Sequence, residues 1–283
     1  MSTLPRTSTL PEDVFVDEHL TPGLPLLVTG EVPLWPAYQR WTWSYLTGIL
    51  GHYEVEVFDD FFVPTGSTTF ADFVAQNVGD TDRTSRRRYV RWFARNRDSD
   101  GLWADEALGR LSDDWRHPSF LPTTGYTVPP VRPPARTDAT RDPFPYRALL
   151  VSAVGARTRL HLDPWTSGAL LCQVRGRKHV QMWAPEWHRT MLRLAGDPDR
   201  DAALAAVPPT YEDDLEGGAI VFIPGGWWHQ VDTVSDSVSL TWNFVHERSA
   251  PAYEAHRRAF PDDPELAVAD HFLRHVPPRT IAG

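Results

Sequence analysis

Residues 157–185, RTRLHLDPWTSGALLCQVRGRKHVQMWAP, and residues 217–244, GGAIVFIPGGWWHQVDTVSDSVSLTWNF, decide the fold. Within them, short apolar runs at Ala169 to Val174, His179 to Trp183, Ala219 to Ile223 and Val238 to Val245 are each bounded by Gly, Pro or Asp. With Ala148 to Val154 just upstream, they predict a series of short strands. That spacing belongs to a mainly β antiparallel barrel or jelly roll. Thr158 to Pro164 ends one strand, and because strand side chains alternate, His161 and Asp163 project from the same face. Ile223-Pro224-Gly225-Gly226 makes a tight turn that delivers His229. A jelly roll lays two such strands side by side despite their separation in sequence. Two imidazoles and one carboxylate on one face of a metal ion leave its opposite positions open, the facial arrangement of non-haem iron oxygenases. His-x-Asp alone is a weak signal. The other histidines, His19, His52, His117 and His246 among them, are read as ordinary polar residues.

Upstream, Leu24 to Thr29 and Tyr53 to Phe58 predict strands, and Trp35 to Leu50 has the apolar spacing of one amphipathic helix closing at Gly51. Further helical signals lie at Phe70 to Gln76 and Asp105 to Leu111. Seven prolines between Leu121 and Tyr146 predict an extended connector. The segment Arg83 to Arg97 interleaves Arg86, Arg87, Arg88, Arg91 and Arg95 with Tyr89, Trp92 and Phe93, and is read as an amphipathic element with a solvated basic face. Glu186 to Gly217 is helical early and acidic late, and Ala250 to His275 is helical with interruptions at Pro261 and Pro264.

Composition narrows the chemistry. The 283 residues are 41% hydrophobic, enough for a well-buried core. A formal charge of −9 makes nucleic acid an unexpected partner, since a phosphate-binding surface is basic. No stretch approaches the roughly 20 apolar residues that span a bilayer, and no leader pattern opens the chain, so no membrane association and a cytoplasmic location are expected. The single cysteine, Cys172, excludes a thiolate-rich zinc site, so any metal is held by nitrogen and oxygen; Cys172 itself is expected in the core. Lys178 is the only lysine among 28 basic residues.

The two quoted stretches resemble the JmjC hydroxylases, particularly the lysyl and asparaginyl protein hydroxylases and their bacterial cupin-like relatives. The resemblance is strongest from Arg147 to Val245, and extends to PLLVTG with WPA and a Trp-rich segment in Pro25 to Leu46, and to DDWRHPSFLP. It implies a double-stranded β-helix with flanking helices, and an oxygenase using Fe(II), 2-oxoglutarate and dioxygen to hydroxylate an unactivated C–H bond. By the same resemblance His161, Asp163 and His229 match the iron ligands, Lys178 the partner of the cosubstrate's distal carboxylate, Thr158 a hydroxyl supporting that carboxylate, and Asn243 an amide lining the pocket. A compact ammonium on a flexible stem suits a buried carboxylate on general grounds as well. One departure stands out: relatives often carry an Asn on the strand between His-x-Asp and the lysine, where this chain has Ala169-Leu170-Leu171-Cys172, with Thr166, Ser167 or Gln173 as substitutes. Trp227 and Trp228 are candidates to wall the iron pocket, with core packing expected of at least one.

The resulting layout is a loosely ordered start over residues 1–24, a JmjC or cupin-like catalytic domain over 25–249 with its core at 147–245, and a C-terminal helical segment over 250–283. The expected substrate is an amino-acid side chain in a protein or peptide, or a small amino-acid-like molecule. Hydroxylation is expected over histone demethylation, because the cysteine count forbids a thiolate-based finger. Family grounds add a homodimer through residues 250–283. Two other readings remain: a cosubstrate-free cupin metalloenzyme, against which Lys178, Thr158 and Asn243 speak, and a non-catalytic cupin-fold binding module.

Overall fold

A computed structural model describes residues 2–60, 62–79, 88–94, 101–128, 146–197, 199–264 and 266–278. Eight of its strands form the core: β1 Tyr146–Ser152, β2 Arg157–His161, β3 Gly168–Arg175, β4 Arg177–Trp183, β5 Tyr211–Glu216, β6 Ile220–Ile223, β7 Trp228–Thr233 and β8 Ser237–His246. Apart from the paired β4 and β5, they alternate between two sheets, with β5-β4-β7-β2 hydrogen-bonded in one and β6-β3-β8-β1 in the other. That alternation is the jelly roll expected from the sequence. The larger sheet is widened by Leu26–Val28 and Arg6–Thr7 beyond β6, and by Tyr89–Phe93, Glu54–Phe58 and Pro64–Thr69 beyond β1.

Strand composition follows from which faces are covered. Strand β3 is buried at every position except its last. Leu170, Cys172 and Val174 pack against the helical layer with Phe15, Trp41 and Leu46, whereas Ala169 and Leu171 face the barrel interior with Val180 and Val231. A strand covered on both faces reads as a continuous apolar run, whereas β4 alternates. Between β3 and β4 the turn passes through Gly176 at φ 77°, where an added Cβ would lie 2.2 Å from the Asp236 carbonyl oxygen.

Several expectations need correction. The first 24 residues are not loosely packed: Arg6–Thr7 pairs with Leu26–Val28, and the Phe15 side chain is 0% exposed in the main core. The single helix expected over Trp35 to Leu50 is two, Pro36–Arg40 and Trp43–Leu50. The break comes where Trp41 leaves helical geometry and the Thr42 hydroxyl caps the second helix by accepting from the Tyr45 amide at 3.1 Å. The acidic stretch before Gly217 is strand β5, on which Glu212, Asp214 and Glu216 share the outer face while Asp213 pairs with Arg6. The basic segment contains the strand Tyr89–Phe93, in which Arg88 is exposed while Arg91 is buried. Arg83, Arg86, Arg87 and Arg95, and most of the proline-rich connector, lie outside the described residues. The C-terminal segment forms helices Ala250–Ala259 and Leu266–His275.

Candidate active site

The antiparallel register of β7 on β2 sets His229 opposite His161, and their rings lie 4.1 Å apart between centroids. Asp163 follows two residues later in extended backbone, keeping the alternation that aims it at the same point. The approach depends on Gly225: the turn before β7 runs so close to the loop after β2 that a Cβ there would lie 2.0 Å from the Thr166 carbonyl oxygen. One ligand atom from each of His161, Asp163 and His229 falls within 4.8 Å of the others.

Their hydrogen bonds leave the correct atoms available. His161 Nδ1 donates to the Arg159 carbonyl at 2.8 Å and His229 Nδ1 to the Trp227 carbonyl at 3.1 Å, since a carbonyl can only accept. Each neutral imidazole therefore carries its lone pair on Nε2, the nitrogen its strand aims at the cavity. Burial pushes the His161 imidazole well below its ordinary pKa, and the neighbouring His229 adds to the shift. Asp163 Oδ2 is buried without a hydrogen-bond partner and sits 3.7 Å from His229 Nε2. Two imidazole nitrogens and a carboxylate oxygen without a hydrogen-bond partner, converging within 4.8 Å, suit a divalent cation, and this donor set suits iron.

All six residues singled out from the sequence, Thr158, His161, Asp163, Lys178, His229 and Asn243, line one cavity of about 370 Å3. At the end away from the triad Lys178 is 0% exposed, and its Nζ donates to the Tyr89 hydroxyl at 2.8 Å. Burial pushes the Tyr89 phenol up, but the Lys178 ammonium and the Arg91 guanidinium together outweigh it and hold the phenol below its ordinary range. Asn243, on β8 opposite Ala169, donates to the Ser167 hydroxyl at 3.1 Å. Of the substitutes for the departed Asn, Gln173 is committed elsewhere, to Ser237, Ser239 and the Arg175 carbonyl. On β3, Ala169 and Leu171 present apolar surface to the cavity.

Sequence reasoning missed Tyr89, Arg91 and Phe62, which also line the cavity. The alternation in Tyr89-Val90-Arg91-Trp92-Phe93 was the available signal, because it puts Tyr89 and Arg91 on one face. Phe62, at φ 62°, stacks on Arg91 with the guanidinium 4.2 Å from its ring and lies edge-on to His161. Trp227 and Trp228 do not line the cavity: their indole nitrogens donate to the Gly23 carbonyl and to His188 Nδ1.

A second group, His188, His256 and Asp263, also brings its ligand atoms within 4.8 Å of one another. The bond from Trp228 Nε1 to His188 Nδ1 argues against a metal there. An indole N–H only donates, so Nδ1 holds the lone pair and Nε2 the proton, on the side facing Asp263. The group is two hydrogen-bonded pairs, Trp228 with His188 and His256 with Asp263, in contact at 3.6 Å between His188 Nε2 and Asp263 Oδ2. No helix among the described residues is long and apolar enough to cross a membrane.

Known proteins are similar to this chain in sequence. The arginine-specific demethylase JMJ22 of Arabidopsis thaliana is 22% identical across 82% of this chain and 44% of its own length. The bifunctional arginine demethylase and lysyl-hydroxylase psr-1 of Caenorhabditis briggsae is 20% identical across 99% of this chain and 74% of its own. The 2-oxoglutarate and iron-dependent oxygenase JMJD4 of Homo sapiens is 26% identical over 36% of this chain and 27% of its own. The chain thus spans less than half the length of the plant and human proteins. Residues 11–250 match the cupin-like domain family, a span that takes in both sheets of the jelly roll and every residue of the cavity named above, and the chain belongs to that family in its JmjC form.

Proposed function

We propose that this protein is an Fe(II)- and 2-oxoglutarate-dependent dioxygenase that hydroxylates an unactivated C–H bond, with His161, Asp163 and His229 as the iron ligands. The observation that carries the reading is Lys178. A fully buried ammonium whose hydrogen-bond partner is a phenol rather than a carboxylate is costly unless the cavity it faces receives an anion. A 2-oxo acid with a second carboxylate meets both ends of the cavity at once. Relatives named as 2-oxoglutarate and iron-dependent oxygenases, demethylases and hydroxylases support the same chemistry.

When bound, iron and cosubstrate supply the oxidising power: dioxygen and 2-oxoglutarate are consumed, succinate and CO2 leave, and one oxygen atom enters the substrate C–H bond. The chain's own residues bind, orient and exclude. His161, Asp163 and His229 would hold the metal, which would supply the site where cosubstrate and dioxygen react. Lys178, Thr158 and Tyr89 hold the distal carboxylate, and Asn243, braced by Ser167, lines the metal-proximal half. Leu171, Ile223 and Val231 keep that half dry. The substrate in this reading is an amino-acid side chain of a protein or peptide, or an amino-acid-like small molecule. A cytoplasmic location and a homodimer through the C-terminal helices complete it.

The test is anaerobic loading of the protein with Fe(II), addition of 2-oxoglutarate, and observation of the weak visible charge-transfer band in wild type and Lys178→Ala. The reading expects a band that weakens sharply in the variant. Iron binding with no band in wild type would favour the cosubstrate-free cupin, and no iron binding the binding module.

A further inference from the structure

Arg91 was expected on a solvated basic face, yet it is 4% exposed and lines the cavity beside Tyr89, Thr158 and Lys178. Its guanidinium stacks 4.2 Å from the Tyr89 ring centroid. Nη1 donates to the Asp59 carbonyl at 2.8 Å; Nη2 reaches the Arg157 carbonyl at 3.3 Å and Thr158 Oγ1 at 3.2 Å. Two roles are compatible with these contacts. The carbonyl bonds would only staple neighbouring strands, whereas the bond to Thr158 bears on the cavity.

A guanidinium has donors and no acceptor, so in the bond to Arg91 the Thr158 oxygen must accept. The hydroxyl hydrogen is then left to point away from Arg91, toward the Tyr89 phenol oxygen at the same end. A threonine hydroxyl on its own rotates freely between donating and accepting. One whose oxygen already accepts from a charged donor has one lone pair occupied and its hydrogen turned away from that donor, which favours the donating orientation a carboxylate needs. The same end of the cavity also gains a second buried positive charge, and charge-assisted hydrogen bonds are the stronger kind.

On the reading above, we propose that Arg91 is a positioning residue for the distal carboxylate of the cosubstrate. By donating to Thr158 it orients that hydroxyl to donate alongside the Lys178 ammonium. Arg91 thereby contributes to discrimination between 2-oxoglutarate and 2-oxo acids that lack the second carboxylate.

The experiment titrates the charge-transfer band of the anaerobic Fe(II)-loaded protein with 2-oxoglutarate and, separately, with 2-oxopentanoate, which keeps the 2-oxo acid head and lacks the distal carboxylate. Wild type, Arg91→Met, Thr158→Val, Thr158→Ser and the Arg91→Met/Thr158→Val double variant are compared. Arg91→Met is expected to weaken 2-oxoglutarate about tenfold or more while moving 2-oxopentanoate by no more than about twofold. Thr158→Val should reproduce that selective loss, Thr158→Ser should restore it, and the double variant should lose less than the product of the two single effects. Equal weakening of both acids in Arg91→Met would overturn the proposal in favour of strand stapling, as would no weakening of either. Should methionine prevent folding, Arg91→Gln keeps a donor for the carbonyls and must show the same selective loss, or the proposal fails. A wild type that forms no band with either acid sinks the oxygenase reading itself. Bands with an unchanged ratio in the variants would remove only the role of Arg91.

Discussion

The two ends of the cavity are built in different ways. At the triad end the three ligand atoms come from two neighbouring strands of one sheet, β2 and β7, and the extended residues just after β2, and their meeting is a matter of register. At the Lys178 end the groups come from β2, β4 and the strand Tyr89–Phe93, which belongs to the other sheet and reaches the cavity only by pairing with β1. The first end is a local device on a rigid ladder. The second is an assembly of parts distant in sequence, held by a buried cation network.

That contrast can be broken most severely at the triad. Asp163→Ala or His229→Ala should lower iron affinity by more than about a hundredfold, measured by metal titration, while the apo melting temperature stays close to wild type. Next is Lys178→Met, which keeps the hydrophobic stem and removes the charge. It should weaken 2-oxoglutarate by about a hundredfold or more, leave iron affinity unchanged, and raise apo stability in a denaturant titration. A fall in apo stability would mean that the ammonium is already well compensated by Tyr89.

A gentler break at the triad end is Gly225→Ala, which forces the turn off Thr166 without touching a ligand. Iron affinity should fall by roughly tenfold, as for other changes outside the ligand set. Unchanged affinity would mean that the loop yields freely.

The smallest effect lies outside the cavity. Burial, ahead of their partly opposing neighbours, holds the His188 and His246 imidazoles below their ordinary pKa. Each Nδ1 accepts from a group that only donates, the Trp228 indole and the Arg248 amide respectively. The unfolded chain therefore binds more protons than the folded one as pH falls through the ordinary histidine value of 6.5. Stability is full above that value and is lost below it. Apo melting should drop by a few degrees between pH 7.5 and pH 5.5, and His188→Gln should flatten part of the slope.

Legibility followed the same division. The triad could be read because His161, Asp163 and His229 sit in two compact stretches whose alternation and glycine turn already say which atoms share a face. Lys178 stood out because it is the sole lysine, and Thr158 and Asn243 came with the resemblance. Tyr89 and Arg91 lie more than fifty residues upstream of the motif, in a segment whose basic character suggested solvent. Strand β5 was lost for a related reason: its outer face carries Glu212 and Asp214, so its charge masked its pairing with β4.

The sequence by itself determined the jelly roll and the two-histidine, one-carboxylate group, because period-two alternation and tight turns are local properties that survive in the linear chain. Only the tertiary structure decided which face of Tyr89–Phe93 turns inward and that Arg91 meets Thr158. Alternation distinguishes two faces of a strand without saying which one is inside. That choice is made by the pairing of Tyr89–Phe93 with β1 across more than fifty residues of chain, and the pairing carries an arginine into the barrel, where a reading of charge alone had placed it in water.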